Sequence, residues 1–563
     1  MKLPWKKHSI FLLIFLVIAV FAEASLPREY QRILDSMTLE EKVGQMLLLG
    51  VPGTYITNSA RSAILELNAG GLVLFAGNLT TVDQARDFTS RLQAEAMKTK
   101  WQIPLLITAD EEGGLVSRMP AGMVTMPGNM ALGATRSELL VQKAYYHTGR
   151  QLRALGINMN LAPVLDVNNN PQNPVIGLRS FGSDPVLVGN MGVAALEGLK
   201  KANVGSIVKH FPGHGDTATD SHLALPIVRK GKDQLAKMEL YPFKQALDYG
   251  AMAVMTAHIE FPALIGGKNL PATLSQEILT GILRANWGYD GVICTDDLTM
   301  SAIANYFGFQ DAVVLAVKAG VDQVLIVGDI NRQKEAKQAI IDAVSRGEIS
   351  EARITKSVER IFLLKSELNL NPGKIPELLD PKKEANDAQK VALDVALNSV
   401  TMIKNDGELL KPKQKVLLAV VDGKLMGASG RDGTTIGYLL QRELVNRGFG
   451  VEVIDISSRP SLSQQQQVLS RAASVDSVVV LSRNASNEQA QVIQKLLHKP
   501  LITVALQNPY DILKYPDVKV HLLTYGYTEA SLKALVSILT GENKAIGQLP
   551  VKLSENYIFG YKE

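Results

Sequence analysis

The stretch GSIVKHF (205–211) belongs to a series of short, β-rich apolar runs, and this series decides the fold. The other runs are GGLVLFAG (70–77), PLLITAD (104–110), INMNLAPVLDV (157–167), AMAVMTAHI (251–259), DGVICTDD (290–297) and VDQVLIVGD (321–329). A polar loop and a stretch of helical periodicity follow each run. Strands that are apolar on both faces and alternate with helices are typical of a buried parallel sheet. Seven or eight such units in roughly 330 residues predict a (β/α)8 TIM-type barrel, preceded by a helix that opens with the capping box at Thr38.

A second α/β pattern follows Asn371-Pro372-Gly373 and a charged linker. Helical periodicity recurs near Glu384–Asn398 and Asn487–His498, between the apolar runs QKVLLAVVD (414–422), VEVIDI (451–456), SVVVLS (477–482), PLITVAL (500–506) and VKVHLLTYG (518–526). The glycine-rich stretch GRDGTTIG (430–437) lacks the Lys-Ser/Thr ending of a phosphate-binding P-loop, so we interpret it as a plain loop. The predicted domains are a barrel over 25–370, a linker over 371–390 and a smaller αβα sandwich over 391–563.

The N-terminus has the layout of a secretory signal peptide. Basic residues precede the apolar run IFLLIFLVIAVFA (10–22), and Ala22-Glu23-Ala24 supplies the small residues of a cleavage site. This run is shorter than the ~20 residues that a transmembrane helix needs. We therefore predict a signal peptide over 1–24 and an exported protein, either secreted, periplasmic or associated with the cell wall. An uncleaved N-terminal membrane anchor is the alternative.

Charge and cysteine content exclude some classes of protein. The chain has 59 Lys and Arg against 55 Asp and Glu and no basic stripe, so a nucleic-acid partner is not expected. Cys294 is the only cysteine, so no disulfide forms within the chain despite the predicted export. A large apolar core must then stabilise the fold.

Several of the predicted barrel strands end in polar side chains. These are Asp110, Asp166, the pair Lys209-His210, His258 and Asp296. The carboxyl ends of barrel strands converge on one mouth, where active sites are built, so we expect these side chains to share a pocket. For any single aspartate, capping of the next helix is an equally good interpretation.

The segment KHFPGHGDTATDSH (209–222) holds three of the chain's eight histidines. His210, His214 and His222 could supply three zinc ligands, although their spacing fits no familiar zinc motif. They could also be buried histidines without a chemical role. A third interpretation uses Asp220 and His222, which share one side of an extended segment. A carboxylate beside an imidazole orients it and favours its protonated form, as general acid/base catalysis requires.

The sequence resembles glycoside hydrolase family 3, in particular its bacterial β-N-acetylglucosaminidase (β-hexosaminidase) branch. The motifs that carry this resemblance are LAPVLDV (161–167), NPVIGLRSFGSDP (173–185), KHFPGHGDTATDSH (209–222), MTAHI (255–259) and TDDLTM (295–300). It extends from the Thr38 helix to GQLPV (547–551). Several ordered motifs together are a specific signal.

The resemblance implies catalytic roles for individual residues. It places His222 as the acid/base, Asp220 as its partner and Asp296 as the nucleophile. Strand geometry alone leaves the choice between Asp296 and Asp297 open, because neighbours on a strand face opposite ways.

The resemblance also implies that sugar binding falls to Asp110, Arg118, Arg179, Lys209 and His210. One position departs from the family's pattern, since Leu115 stands where relatives often have an arginine. A charged group is therefore absent at this position, whereas Arg118, the position that matters more, is present.

The implied function is that of a retaining exo-β-N-acetylglucosaminidase acting on cell-wall fragments or chitin oligosaccharides. It needs no metal or organic cofactor, its partner is a GlcNAc-containing glycan, and we expect a monomer that can associate with the cell wall. One alternative is a phosphorylase that passes the same sugar to phosphate. A catalytically silent cell-surface binding module and a zinc hydrolase are further alternatives.

Overall fold

The computed structural model describes residues 25–220 and 225–563. The predicted signal peptide over 1–24 and the predicted acid/base His222 lie outside the described residues. In the described ranges, no helix combines the length and the hydropathy needed to cross a membrane.

The first part of the described chain forms a nearly closed barrel of parallel strands, in the order β7-β6-β5-β4-β3-β2-β1-β8. The strands are β1 (Leu47–Gly50), β2 (Gly71–Leu74), β3 (Leu106–Ala109), β4 (Met159–Asn160), β5 (Gly205–Phe211), β6 (Ala253–Thr256), β7 (Val292–Cys294) and β8 (Val324–Ile326). A single parallel bridge between Cys294 and Gln323 joins the last two strands. The strand residues are buried on both faces, and the predicted barrel is confirmed.

The helices that surround the barrel are α1 (Arg28–Ser36), α2 (Leu39–Gln45), α3 (Asn58–Leu65), α4 (Val82–Ala96), α5 (Asn129–Thr135), α6 (Glu138–Ala154), α7 (Pro185–Lys201), α8 (Lys232–Lys237), α9 (Leu240–Tyr249), α10 (Ser301–Phe307), α11 (Phe309–Ala319), α12 (Ile330–Ser345) and α13 (Glu351–Glu367), with a π-helix over Glu277–Asn286. Thr38 caps α2 through the predicted capping box with Glu41. Six of the other α-helices are also capped by a hydroxyl or carboxylate, which satisfies backbone N–H groups that have no partner within the helix.

Two strands differ from their predicted runs. β1 was not among the predicted runs. Its sequence QMLLLG (45–50) follows α2 without a polar loop, so it reads as part of the apolar pattern of that helix. The run over 157–167 forms only the two-residue β4. Pro163 lies within that run and has no N–H to donate to a ladder, so the strand cannot continue through it.

The second part forms a six-stranded sheet in the order β11-β10-β12-β13-β14-β9, with β9 antiparallel to its neighbour. Its strands are β9 (Thr401–Asn405), β10 (Lys415–Val421), β11 (Gly450–Ile456), β12 (Ser477–Ser482), β13 (Leu501–Ala505) and β14 (Val520–Leu523). Its helices are α14 (Pro381–Ser399), α15 (Ala428–Arg431), α16 (Ile436–Val445), α17 (Leu462–Ala472), α18 (Asn487–Leu496) and α19 (Glu529–Leu539). The predicted αβα sandwich is confirmed, although β9 was not predicted from its half-polar sequence TMIKN.

The two parts pack closely against each other. α14, which begins within the predicted linker, lies on α6 of the barrel. Arg150 and Glu384 join these helices in a bidentate pair, with N–O distances of 3.1 and 2.7 Å.

The interpretation of 430–437 as a plain loop is wrong at both ends, where α15 ends and α16 begins.

Candidate active site

A cavity of about 390 Å³ opens at the carboxyl end of the barrel strands. The side chains of six predicted site residues line it: Asp110, Arg118, Arg179, Lys209, His210 and Asp296. The structure therefore brings together groups that are up to 186 positions apart in sequence, from Asp110 to Asp296. Asp220 is half-buried and is not among the lining residues. A cavity of this volume is the size of a small-molecule site.

Glu112 is the centre of a buried charge network on one wall of the cavity. Its two oxygens accept hydrogen bonds from Arg179 Nε and Nη2, both at 2.9 Å. Lys209 Nζ lies 2.7 Å from Glu112 Oε1 and 2.7 Å from Asp110 Oδ1. Burial raises the pKa of Glu112, but Arg179 and Lys209 outweigh it and hold the pKa well below its ordinary value. The network fixes the two cations and leaves Asp110 at the cavity surface.

Arg118 stands beside this network on the loop that follows β3. Its Nη2 lies 3.7 Å from Asp110 Oδ2, and its guanidinium lies 5.9 Å from the ring centroid of Phe75. The loop turns at Gly113 and Gly114, whose φ angles of 78° and 55° are unfavourable for other residues. This turn returns the chain toward the mouth of the barrel and places Arg118 over it.

Asp166 organises the start of the histidine-rich segment. Its side chain is fully buried, and it accepts hydrogen bonds from the backbone N–H groups of His210 and His214 as well as contacting the His210 ring. His214 lies deeper, with Nδ1 at 2.8 Å from Thr217 Oγ1. Burial, followed by the effect of His210, lowers the pKa of His214 to about 4. Asp166 therefore anchors His210 at the cavity wall.

Asp296 and Asp297 have different surroundings. Asp297 accepts hydrogen bonds from Thr299 Oγ1 at 2.6 Å, from Thr299 N–H at 3.0 Å and from Val327 N–H at 3.1 Å. Asp296 accepts one from the N–H of Asp297 at 2.8 Å, and both aspartates line the cavity. Burial raises the pKa of Asp296, but His258 and His210 outweigh it and lower the pKa below its ordinary value. For Asp297, burial wins and the pKa is raised.

His258 supports this pair from below. Its Nδ1 lies 2.8 Å from Thr273 Oγ1, and its Nε2 lies 3.0 Å from the carbonyl oxygen of Asp297. The carbonyl can only accept, so Nε2 carries a hydrogen and the Thr273 hydroxyl donates to Nδ1 or to the Ala257 carbonyl. His258 thus holds the backbone between Asp296 and Asp297 in place.

An ion-pair network lies at the base of the histidine-rich segment. Lys230 Nζ contacts Glu239 Oε1 at 2.5 Å and Asp216 Oδ2 at 3.0 Å. Glu239 is almost fully buried and also accepts a hydrogen bond from Asn169 Nδ2 at 2.8 Å.

In the described part of the chain, no group of three or more His, Cys, Asp or Glu side chains has the arrangement of a metal site.

Sequence reasoning did not identify Glu112, which follows the predicted site residue Asp110 and another carboxylate, Glu111. It placed Asp166 and His258 in the pocket with the other polar strand ends, but neither lines the cavity, and both act on residues that do. Their partners come from other strands, so no local pattern reveals which charge each one neutralises.

The arrangement combines charged groups that recognise oxygens with the ionised carboxylate of Asp296. Asp110 can accept hydrogen bonds from hydroxyl groups, and Arg118 and Lys209 can donate to hydroxyl or carbonyl oxygens. Asp296 is held ionised at the cavity surface, as a nucleophile or an electrostatic stabiliser must be.

Comparisons with known proteins identify the family of this chain. Residues 38–364 match the family model described as glycosyl hydrolase family 3 N terminal domain. The chain is 36% identical over 366 residues to β-hexosaminidase A from Pseudoalteromonas piscicida, covering 62% of this chain and 61% of that relative, which is less than two thirds of its length. It is 28% identical over 556 residues to a β-N-acetylglucosaminidase/β-glucosidase from Cellulomonas fimi, covering 92% of this chain and 94% of the relative.

A solved structure shows the same relationship over both domains. The family 3 β-N-acetylglucosaminidase from Paenibacillus sp. str. FPU-7 superposes with a TM-score of 0.84 at 39% identity, covering 92% of this chain and 99% of that chain. The family model alone covers more than half of the chain, and the superposed structure extends the likeness to the second domain. The chain therefore belongs to glycosyl hydrolase family 3 and is a glycoside hydrolase.

Proposed function

We propose that this protein is a retaining, exo-acting β-N-acetylglucosaminidase that removes terminal GlcNAc from cell-wall fragments or chitin oligosaccharides. The observation that carries the proposal is the carboxylate of Asp296, which lines the cavity and is held ionised by neighbouring histidines. A retaining glycosidase needs such a carboxylate as its nucleophile. The 39% identity to a β-N-acetylglucosaminidase over 92% of the chain supports the choice of sugar.

The charged wall of the cavity binds the terminal sugar in this proposal. Asp110 accepts hydrogen bonds from sugar hydroxyls, while Lys209 and Arg118 donate to sugar oxygens. Arg179 and His210 complete the wall. The oxygen of the N-acetyl group also requires a hydrogen-bond donor such as these cations. Because Glu112 holds Arg179 and Lys209 before substrate arrives, little ordering of these long side chains remains to be done on binding.

The reaction proceeds in two steps. Asp296 attacks the anomeric carbon while His222 protonates the departing oxygen, which gives a covalent glycosyl-enzyme and the released aglycone. His222 then removes a proton from water, and the resulting hydroxide displaces Asp296 to release GlcNAc. Asp220 orients His222 and stabilises its protonated form. This His–Asp pair takes the place of the second carboxylate that most glycosidases use.

The N-terminal sequence supports an exported enzyme. If this sequence is instead retained as a membrane anchor, the enzyme still meets the same substrates. An exported or surface-anchored enzyme encounters peptidoglycan fragments and chitin oligomers rather than cytoplasmic sugar phosphates. We therefore propose hydrolysis rather than transfer to phosphate, with the protein acting as a monomer at or near the cell wall.

Hydrolysis of p-nitrophenyl β-N-acetylglucosaminide tests the proposal, with the corresponding β-glucoside as the alternative substrate. The wild type is compared with Asp296→Ala and His222→Ala, each with and without phosphate, and NMR identifies the anomer that is released first. Retention predicts that β-GlcNAc appears before mutarotation. Azide should restore turnover to Asp296→Ala and give the α-glycosyl azide, because the small anion enters the space of the missing carboxylate.

The other outcomes select the alternatives. Formation of GlcNAc 1-phosphate in the presence of phosphate would identify a phosphorylase. Initial release of α-GlcNAc would contradict the retaining mechanism. Inertness toward both glycosides would favour a silent binding module, and loss of turnover with a chelator would favour a metal hydrolase.

A further inference from the structure

The second domain makes a close contact with the loop that carries Arg118. In the turn at the start of α15, the N–H of Ala428 donates to Thr125 Oγ1 at 2.9 Å. The preceding residue is Gly427 with a φ of 67°, and a Cβ at that position would lie 2.1 Å from Thr125 Oγ1. Only glycine therefore permits the turn to approach this closely.

A chain of hydrogen bonds leads from this contact to Arg118. Thr125 Oγ1 lies 3.0 Å from Ser117 Oγ, and Ser117 Oγ lies 2.9 Å from Glu111 Oε2. Glu111 Oε2 also accepts the backbone N–H groups of Arg118 at 2.6 Å and Met119 at 3.2 Å.

The donors and acceptors of these hydrogen bonds are consistent from Ala428 to Glu111. Thr125 Oγ1 accepts from Ala428, so its own hydrogen is available for Ser117, and the Ser117 hydrogen is then donated to the carboxylate of Glu111. Glu111, Ser117 and Thr125 are all buried. Removal of one hydroxyl would leave a buried neighbour without its partner, and such groups are costly when water cannot reach them.

A second contact from the same turn reaches the neighbouring loop. Arg431 Nη1 donates to the carbonyl oxygens of Ala76 at 3.1 Å and Leu79 at 2.9 Å. These residues follow Phe75, which lines the cavity and faces the Arg118 guanidinium. The second domain thus supports Arg118 from two sides.

We propose that the second domain sets the position of Arg118 through Thr125, Ser117 and Glu111, which are positioning residues for substrate binding. This inference rests on the proposed function in one respect, which is the role of Arg118 in holding the sugar. The barrel and the second domain then form one binding unit, in which the sandwich orders a loop of the active site.

Thr125→Val tests the hydrogen bonds that link Thr125, Ser117 and Glu111 (the relay), because valine keeps the shape of threonine and removes its hydroxyl. Thr125→Ser is the matched control, since it restores the hydroxyl at the same place. Loss of a positioned hydrogen bond should raise KM for the p-nitrophenyl substrate about 5- to 10-fold, with kcat within about 2-fold of wild type. Thr125→Ser should stay close to wild type, and thermal melting shows whether the fold is intact.

Hydrogen exchange of the peptide over residues 111–125 supplies a readout that does not depend on activity. The amides of Arg118 and Met119 should exchange faster in Thr125→Val than in Thr125→Ser. Ser117→Ala breaks the same chain one bond further along and takes the place of Thr125→Val if that variant does not fold.

Each result decides the matter. Faster exchange together with a raised KM supports the relay. Unchanged exchange in Thr125→Val, or faster exchange with an unchanged KM, overturns it. Failure of the wild type to cleave the substrate would refute the proposed function, whereas the exchange data would still show whether the second domain orders the Arg118 loop.

Discussion

Oδ2 of Asp166 lies 2.7 Å from Nδ1 of His210, and this contact determines which nitrogen of the ring faces the cavity. Burial raises the pKa of Asp166, but His210 and His214 outweigh this effect and hold the pKa below its ordinary value. The carboxylate is therefore ionised and accepts a hydrogen bond from Nδ1 of His210. Nε2 of His210 then faces Arg179 Nη2 at 3.4 Å as an acceptor. One buried carboxylate thereby orients a side chain that contacts the substrate in our proposal.

Asp166→Asn should lower kcat/KM about 10- to 100-fold, the range for loss of a hydrogen bond that involves a charged group. The amide oxygen still accepts both backbone N–H groups, which share Oδ1, but its NH2 group favours the other tautomer of His210 and directs an N–H at Arg179. Steady-state kinetics and thermal melting measure the two effects separately. Asp329→Asn, at the cap of α12, is the control because asparagine caps helices as well as aspartate. Equal kcat/KM values in the two variants would contradict the role of Asp166.

The polar ends of the strands were predictable from sequence, because hydrophobic periodicity places Asp110, Lys209, His210 and Asp296 at the carboxyl ends of barrel strands. All four line the cavity. Arg118 lies well beyond the end of its strand, and only the family resemblance indicated it. Its position depends on a turn at Gly113 and on hydrogen bonds to the rest of the loop, which are tertiary properties.

The pairing of charges could not be predicted in the same way. Glu112 contacts Arg179 across 67 positions and Lys209 across 97, and nothing local to Glu112 distinguishes it from Glu111. The structure separates the two, because Glu112 meets cations while Glu111 receives backbone N–H groups and a hydroxyl. Their pKa values accordingly shift in opposite directions, with burial raising that of Glu111 to about 7.

Glu112→Gln should destabilise the protein by about 3 to 5 kcal/mol at pH 7, because it leaves two buried cations with only part of their compensating charge. It should also raise KM, since Arg179 and Lys209 lose their common support. Denaturant unfolding and kinetics measure these effects. Glu384→Gln breaks a similar bidentate pair outside the cavity and should lower stability without changing KM.

The effect of Glu112 on stability has a defined pH dependence. Its pKa in the folded protein lies below the ordinary value of 4.5, so its contribution is fully present above about pH 4.5 and is lost as pH falls toward the lowered value. The difference in unfolding free energy between the wild type and Glu112→Gln should therefore shrink below pH 4.5. A difference that grows on acidification would contradict the ionised, paired state of Glu112.

Asp296→Asn and Asp297→Asn should separate catalysis from structure at adjacent positions. Asp296→Asn removes the proposed nucleophile and should lower kcat by at least about 1,000-fold with a small change in melting temperature. Asp297→Asn disturbs three hydrogen bonds to Thr299 and Val327, so it should lower the melting temperature while retaining more activity. The reverse pattern would transfer the nucleophilic role to Asp297.

Lys230 joins the described parts of the chain on the two sides of residues 221–224, since Asp216 precedes these residues and Lys230 follows them. Burial lowers the pKa of Lys230, but Glu239 and Asp216 outweigh it and raise the pKa, so the ammonium stays charged and paired. Gly213 also packs directly on Glu239, where a Cβ would approach the Glu239 Cβ to 2.8 Å. The pair Lys230–Glu239 therefore fixes the base of the segment that contains the proposed acid/base.

Lys230→Met should impair the protonation step more than the rest of the reaction. A poor leaving group such as a second GlcNAc needs a proton from the acid, whereas p-nitrophenolate leaves with little help. We expect kcat for chitobiose to fall at least about 10-fold more than kcat for the p-nitrophenyl glycoside, because acid catalysis contributes at least that much. Lys230→Arg, which keeps the charge, should lose less. Lys244→Met removes an exposed pair with Asp248 and should change neither value. Equal losses on both substrates would mean that Lys230 supports the fold alone.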